Sequence, residues 1–162
     1  MISVNQTKKI RDDGSYPKAF GSEIAHNDNM FKLDIGQAYA MNRFMFYYGN
    51  SDEIRIDTNG YLNKHIISIE KGKIVCDGVE QTFTASSTLN DGRSMYLFMA
   101  NRNGSPIEGG ALKMFYCKMW KNGTLVRNFV PKFRLSDYKF GLYDTINDTF
   151  YENLGTGSFS GE

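Results

Sequence analysis

Two acidic residues on one predicted strand are the first place to look for chemistry. In Glu53-Ile54-Arg55-Ile56-Asp57, the alternation of a strand puts Glu53, Arg55 and Asp57 on the same face. A retaining glycosidase needs two carboxyl groups about 5–5.5 Å apart, one of them protonated as the general acid. Arg55 stands between the two acids, where it would pair with both and keep them ionised. The segment therefore predicts a solvated ladder of charges, and we assign no catalytic residues.

The cysteines and histidines form no recognisable motif. Cys76 and Cys117 both lie in apolar strand contexts, no C-x-x-C occurs, and His26 and His65 are far from either cysteine in sequence. A zinc site is therefore not expected. Cys117 and His65 would form a nucleophilic dyad only if the strands bring them together, and apolar surroundings would raise the pKa of the thiol. We predict buried free thiols, and a disulfide stays open if the two strands are neighbours.

Aromatic side chains offer a different chemistry. Sugar binding needs a flat ring for the apolar face of the sugar, with amides or carboxylates nearby for its hydroxyls. The candidate platforms are Trp120, Tyr116, Tyr47, Tyr48 and Tyr61, and the candidate polar partners are Asn101, Arg102 and Asn103. Trp120 is the best of the rings, because it lies next to a turn and opposite the face formed by Phe115, Cys117 and Met119. The alternative for every ring is packing inside a β-sheet core.

The stretch Ala111–Pro131 indicates the kind of element that carries these residues. Ten mostly apolar and aromatic residues lead into Lys121-Asn122-Gly123, and a second apolar run follows. Asn-Gly tolerates the positive φ angles of a tight hairpin turn. We therefore predict a β-hairpin whose second strand ends at Pro131, since proline has no N–H to donate.

The rest of the chain predicts further short strands. Phe31–Ile35 alternates as a half-buried strand, and Arg43–Tyr48 is dense in aromatics. Lys64–Thr84 predicts a meander that turns at Lys71-Gly72 and Asp77-Gly78. Met95–Ala100 is wholly apolar, which predicts a central strand. Lys139–Asp144 and Thr149–Tyr151 follow with a turn near Asn147-Asp148, and Asp144 and Asn153 are expected to cap turns.

Composition limits the classes of protein. The 162 residues contain 16 glycines and 3 prolines, and no segment has a convincing helical period. A net charge of +1 gives no basic field to attract nucleic acid, and the chain shows neither a secretory signal nor a span for membrane insertion. We predict an all-β, two-sheet antiparallel β-sandwich over residues 21–162, preceded by an arm or edge strand at residues 1–20.

Two segments resemble a known family. From His65, H-I-I-S-I-E-K-G-K-I-V-C-D-G-V is similar to the paired middle strands of LamG-like, concanavalin A-like jelly-roll domains. From Gly141 to Phe159, G-L-Y-D-x-x-x-x-x-F-Y-x-N-x-G-T-G-x-F is similar to the ending of such domains in bacteriophage tail and bacterial surface proteins. The resemblance covers roughly residues 60–160 and implies a jelly roll.

The resemblance also implies functions. It favours a non-catalytic recognition or attachment module that binds carbohydrate, with a glycan or cell-surface receptor as partner at a virion or extracellular surface. A structural or oligomerisation domain, trimeric if a tail fibre, and a glycosidase-related domain are the alternatives. The family often holds Ca²⁺ with Asp, Asn and backbone oxygens. Asp28, Asn29 and Asp91 are the candidate ligands here, although clusters of Asn and Asp are also ordinary turn formers.

Overall fold

The chain is all-β in the residues that the structure describes. This structure is a computed structural model, and it describes residues 2–6, 18–24, 29–35, 43–49, 53–58, 63–85, 92–110, 112–155 and 157–161. In chain order the strands are β1 (Ile2–Gln6), β2 (Lys18–Glu23), β3 (Met30–Ile35), β4 (Arg43–Gly49), β5 (Ile54–Asp57), β6 (His65–Glu70), β7 (Lys73–Cys76), β8 (Val79–Thr82), β9 (Tyr96–Leu97), β10 (Ala100–Arg102), β11 (Ser105–Ile107), β12 (Leu112–Lys121), β13 (Thr124–Arg134), β14 (Lys139–Asp144) and β15 (Thr149–Tyr151). No helix occurs in these ranges, so none of them holds a helix that could cross a lipid bilayer.

The strands form two compact units. Unit 1 contains Met1–Val4 and Met114–Glu162, and unit 2 contains Asn5–Lys113. The predicted boundary at residue 20 falls inside β2, which begins at Lys18.

Unit 2 contains a seven-stranded sheet in the order β11-β10-β2-β3-β4-β5, with β9 also paired to β2. Its pairings are antiparallel except for β10, which runs parallel to β2. The meander β6-β7-β8 follows the predicted turns. Rings of the seven-stranded sheet contact rings of the meander segment. The centroids of Phe44 and His65 are 5.0 Å apart, and those of Phe46 and Phe83 are 5.8 Å apart. These contacts form an apolar core between two layers, as in a β-sandwich.

The alternation predicted for β3 is present, but both of its faces are buried. Leu33 and Ile35 lie in the apolar core, while Lys32 and Asp34 on the opposite face are each only 3% exposed. Half-burial was therefore the wrong expectation for this strand. Burial of this polar face is tolerated because Asp34 pairs with Lys18 of β2 and Lys32 pairs with Glu23 of β2.

Unit 1 is built on the antiparallel run β12-β13-β14-β15. The predicted turn at Asn122-Gly123 is confirmed, with φ angles of 50° and 78°. The predicted strand end at Pro131 is wrong, because β13 continues to Arg134. Pairing with β12 reaches only Phe129, and beyond it β13 is paired with β14. A strand can pass through proline where the missing N–H faces an unpaired side.

The apolar run Met95–Ala100 is not the continuous central strand that its composition predicted. Only Tyr96–Leu97 and Ala100 onward are extended, as β9 and β10. Between them Phe98 takes a φ of 66°, and its N–H donates to the carbonyl of Ala19 at 2.8 Å. The left-handed residue turns the chain, so composition alone misjudged this segment.

The cysteines are buried free thiols, as predicted. Burial raises the pKa of Cys76 to about 12 and that of Cys117 to about 11.

Candidate functional site

An open cleft lies in unit 1, on the β13–β14–β15 part of its sheet. Its volume is about 290 Å³, close to the lower end of small-molecule sites at roughly 300 Å³. The residues that line it are Lys132, Phe133, Arg134, Leu135, Tyr143 and Phe150.

Strand register brings the cleft residues together. Lys132 lies opposite Gly141, and Tyr143 lies opposite Phe150. Because side chains alternate along a strand, Lys132 shares a face with Arg134, and Gly141 shares that face with Tyr143. The four side chains of this cleft face are therefore Lys132, Arg134, Tyr143 and Phe150.

Gly141 provides the space in which one of the rings lies. A Cβ atom at this position would come within 2.6 Å of the Phe150 ring and would also collide with the carbonyl oxygen of Tyr151. Glycine therefore allows the ring of Phe150 to lie directly across β14.

Cations stand over both rings of the cleft. Lys132 Nζ lies 4.1 Å from the centroid of the Tyr143 ring, and Arg134 Cζ lies 4.3 Å from that of Phe150. Such cation–π contacts hold long side chains in one orientation. Within the part of the chain that the structure describes, Lys132 has no ion-pair partner, so its ammonium can still bind an acceptor.

Carboxylates surround the second cation. Arg134 donates to Asp137 at 2.5 and 2.7 Å and also to Glu152, and Lys139 donates to Glu152 at 2.6 Å. These hydrogen bonds raise the pKa of Arg134 and lower the pKa values of Asp137 and Glu152. The cleft therefore combines aromatic rings with fixed donors, and ionised carboxylates bound to Arg134 lie beside it.

Of the two predicted platforms on β12, Trp120 lies away from this cleft. Trp120 is 48% exposed beside the hairpin turn, and Tyr116 is half-buried with Lys118 Nζ 5.7 Å from its ring centroid. Trp120 is paired with Leu125, seven residues before Lys132 on β13. At about 3.3 Å per residue, this places Leu125 and Lys132 roughly 23 Å apart along the strand.

The tyrosines of β4 have different surroundings from each other. Tyr48 packs among aromatic rings, with its centroid 5.9 Å from those of Phe31 and Phe83. Tyr47 donates from its hydroxyl to Glu53 at 2.5 Å, and Lys32 Nζ lies 4.8 Å from its ring centroid. Burial and the Glu53 carboxylate raise the pKa of Tyr47.

The polar candidates that follow β9 make structural contacts; Asn101 and Arg102 lie in β10, and Asn103 lies in the turn after it. Asn101 is buried, donating to the carbonyl of Ser94 at 2.8 Å and accepting from the N–H of Gly104 at 2.7 Å. Asn103 accepts a hydrogen bond from Arg93 at 3.2 Å, and Arg102 donates to Glu23 at 2.5 Å. The amide of Asn101 is used within the fold, whereas Arg102 and Asn103 lie nearer the surface.

Charges on the polar face of the seven-stranded sheet link several of these residues. Glu23 is fully buried between Lys32, at 2.8 Å, and Arg102. Lys18 pairs with Asp34 at 2.6 Å and with Glu108 at 2.8 Å. Burial alone would lower the pKa of Lys18, but the neighbouring carboxylates outweigh it and raise that pKa.

The acids considered for glycoside hydrolysis have separate cationic partners. Arg55 pairs with Glu53, whereas Asp57 pairs across the strands with Arg43 at 2.8 Å. Burial alone would raise the pKa of Glu53, but hydrogen bonds from Tyr47 and Arg55 outweigh it and lower the pKa. An ionised Glu53 does not suit a general acid.

Several predicted residues lie outside the described ranges. These are Tyr61, Asp28 and Asp91. Asn29 is described, with a positive φ of 44° that suits a turn. The calcium site stays a prediction.

The predicted turn caps are present in unit 1. Asp144 is fully buried and accepts from the N–H groups of Asn128 at 3.0 Å and Ile146 at 3.1 Å. Asn153 accepts from the N–H of Gly155 at 3.0 Å. Both side chains hold loops.

Sequence reasoning missed all four residues of the cleft face. The alternation of Lys132 and Arg134 was a usable signal, but the expectation that the strand ends at Pro131 excluded it. A scan against protein-family models, a search of curated proteins and a search of solved structures each found no match.

Proposed function

We propose that this protein is a non-catalytic recognition module that binds carbohydrate in the cleft of unit 1. The observation that carries the proposal is the close grouping of two aromatic rings and two oriented cations in one cleft, with ionised carboxylates bound to Arg134 beside it. Sugar C–H groups would contact the ring atoms of Tyr143 and Phe150 that the cations leave uncovered, while Lys132 and Arg134 donate to hydroxyls. Glu152 and Asp137 accept hydrogen bonds.

The proposed fold is a concanavalin A-like jelly roll, of the LamG-like kind found in phage tail and bacterial surface proteins. The layered all-β structure is compatible with it. The contact of His65 with Asp77 further supports it, because His65 starts the paired strands on which the resemblance rests and Asp77 directly follows them. In this proposal, the protein acts at a virion or extracellular surface and its partner is a glycan or a cell-surface receptor.

A glycan array tests the cleft directly. We expect Lys132→Ala to reduce binding at least about tenfold, because a charge-assisted hydrogen bond contributes about 1.5–3 kcal/mol. Lys118→Ala is the matched control, since Lys118 also stands over a tyrosine ring but lies on β12. Loss of binding in Lys118→Ala or Trp120→Ala, with Lys132→Ala unchanged, would move the site to the platform predicted on β12.

A second candidate function is assembly into an oligomer. Unit 1 exposes apolar side chains on and around the loop between β13 and β14, with Leu135 75% and Tyr138 78% exposed. The rings of Phe133 and Phe140 lie beside them, 4.7 Å apart. Exposed apolar groups of this kind favour contact with another chain.

Sedimentation velocity separates the two candidates. An oligomerisation domain should associate as concentration rises, and the double change Leu135→Ser and Tyr138→Ser should abolish that association. A monomer at every concentration would remove this candidate and leave the cleft proposal intact.

A further inference from the structure

Three potential metal ligands converge in unit 2. His65 starts β6, Cys76 ends β7, and Asp77 follows in the turn. His65 Nδ1 and Asp77 Oδ2 are 2.6 Å apart, and Cys76 Sγ lies 3.7 Å from the same oxygen. All three ligand atoms lie within 4.8 Å of one another.

The meander fixes this arrangement from the backbone upward. Ile67 pairs with Cys76, which places the end of β7 beside the start of β6. The N–H of Ile66 donates to Asp77 Oδ1 at 2.8 Å, and the N–H of Asp77 donates to the carbonyl of Ile66 at 2.9 Å. Asp77 is thereby anchored with its second oxygen directed at His65 and Cys76.

The types of ligand atom select a class of metal. An imidazole nitrogen, a thiolate sulfur and one carboxylate oxygen match Zn²⁺, whereas Ca²⁺ takes oxygen ligands almost exclusively. Bond lengths of about 2.0–2.3 Å to zinc imply ligand separations near 3.2–3.8 Å in a tetrahedron. The separation of 3.7 Å between Cys76 and Asp77 already fits, and that of 2.6 Å between His65 and Asp77 would have to lengthen by about half an ångström. The ligand atoms of His65 and Cys76, up to 4.8 Å apart, would have to approach to the same range.

The three side chains differ in burial, so the site is open to solvent only on the side of Asp77. His65 and Cys76 are 2% and 3% exposed, while the Asp77 side chain is 44% exposed. A metal could enter past Asp77 and keep its fourth position toward solvent, where a water or a partner's group would complete the coordination. On binding, the thiol of Cys76 and the nitrogen of His65 would each give up any proton to solvent.

We propose that His65, Cys76 and Asp77 form a site for Zn²⁺ or a similar thiophilic divalent cation. The site is independent of the cleft in unit 1. The proposal places His65 and Cys76 in one site, although their spacing in the sequence matches no zinc motif.

Cobalt titration of the intact, EDTA-treated protein tests the site. Co²⁺ bound by a thiolate gives a charge-transfer absorption that carboxylate or imidazole ligands alone do not give. We expect this absorption to saturate at one equivalent and to disappear when Zn²⁺ is added in competition.

Single substitutions assign the ligands. Cys76→Ser should remove the charge-transfer absorption and weaken Zn²⁺ binding at least about tenfold, and Asp77→Asn should weaken it similarly. Cys117→Ser is the matched control and should bind as the wild type does. Circular dichroism checks that each variant is folded.

Two results would overturn the proposal. One is the absence of saturable Co²⁺ and Zn²⁺ binding by the wild type, which would leave the His65–Asp77 contact a purely structural one. The other is a charge-transfer absorption that survives in Cys76→Ser, which would mean that the metal is held elsewhere.

Discussion

Glu23 shows how a single buried charge can decide stability. It is fully buried between Lys32 and Arg102, and removing one partner of a buried ion pair leaves an uncompensated charge. We expect Glu23→Gln to lower the free energy of unfolding at pH 7 by about 3 kcal/mol, measured by urea titration. Glu80→Gln is the control, because Glu80 is exposed and contacts Lys73 at 3.6 Å; it should change stability by less than about 0.5 kcal/mol.

Glu23 also predicts a dependence on pH. Burial alone would raise its pKa, but the hydrogen bonds and charges of Lys32 and Arg102 outweigh burial and lower the pKa below the usual 4.5. The stabilisation is therefore fully present above the unfolded-state pKa and is lost as pH falls through the lower folded-state pKa. Urea titrations from pH 7 to pH 3 should show a smaller loss in Glu23→Gln than in the wild type. Equal losses would contradict the assignment.

At the scale of elements, the β12–β13 hairpin depends on its turn. Gly123 has a φ of 78°, and a Cβ atom there would meet nothing within 4 Å. The cost of Gly123→Ala is therefore purely conformational, and we expect the free energy of unfolding to fall by about 1–2 kcal/mol. Thermal or urea unfolding measures the change.

A neighbouring exposed position separates backbone strain from loss of surface contacts. Lys121→Ala removes a side chain at the same turn without requiring a positive φ, and it should alter stability by less than about 0.5 kcal/mol. Comparable losses in both variants would mean that the turn conformation is not what stabilises the hairpin.

The elements that sequence alone could predict are those specified by local rules. Asn122-Gly123, Lys71-Gly72 and Asp77-Gly78 each encode a tight turn, so the hairpin and the meander were predictable. The break in Met95–Ala100 was not predictable, because the residue with the positive φ is Phe98 and not a glycine.

The candidate site was less predictable than the fold, since it depends on register between strands. Phe150 reaches the cleft across Gly141, and Lys132 aligns with it only through the pairing of β13 with β14. Likewise, the convergence of His65 and Cys76 follows from the pairing of β6 with β7. A linear pattern gives the faces of each strand but not which residue lies opposite which.

At the scale of the whole molecule, each compact unit contains one buried thiol. Cys76 belongs to unit 2 and Cys117 to unit 1, so each reports on the opening of its own unit. A pKa raised from 9.0 to about 11 for Cys117 and to about 12 for Cys76 reduces the thiolate fraction at pH 8 by about 100-fold and 1,000-fold. We expect each single-cysteine variant, Cys76→Ser or Cys117→Ser, to react with a thiol reagent at least about 100-fold more slowly when native than in urea.

An exposed thiol supplies the reference rate. Glu80→Cys, made in the absence of both native cysteines, should react equally fast in native and denaturing buffer, because this position is open to solvent. Rapid native labelling of Cys117 would show that unit 1 opens far more readily than its packing implies.

The parallel pairing of β10 with β2 has a consequence for how the chain is made. Glu23 and Arg102 are 79 residues apart, yet they are partners in register. Contacts between distant residues carry the entropy of closing a long loop and slow folding. During synthesis, the backbone hydrogen-bonding groups on one edge of β2 stay unpaired until about a hundred residues have been released. The β12–β13 hairpin, in contrast, can form as soon as its own residues appear. An exposed β edge invites pairing with other chains, so this interval is when the nascent protein most needs protection from aggregation.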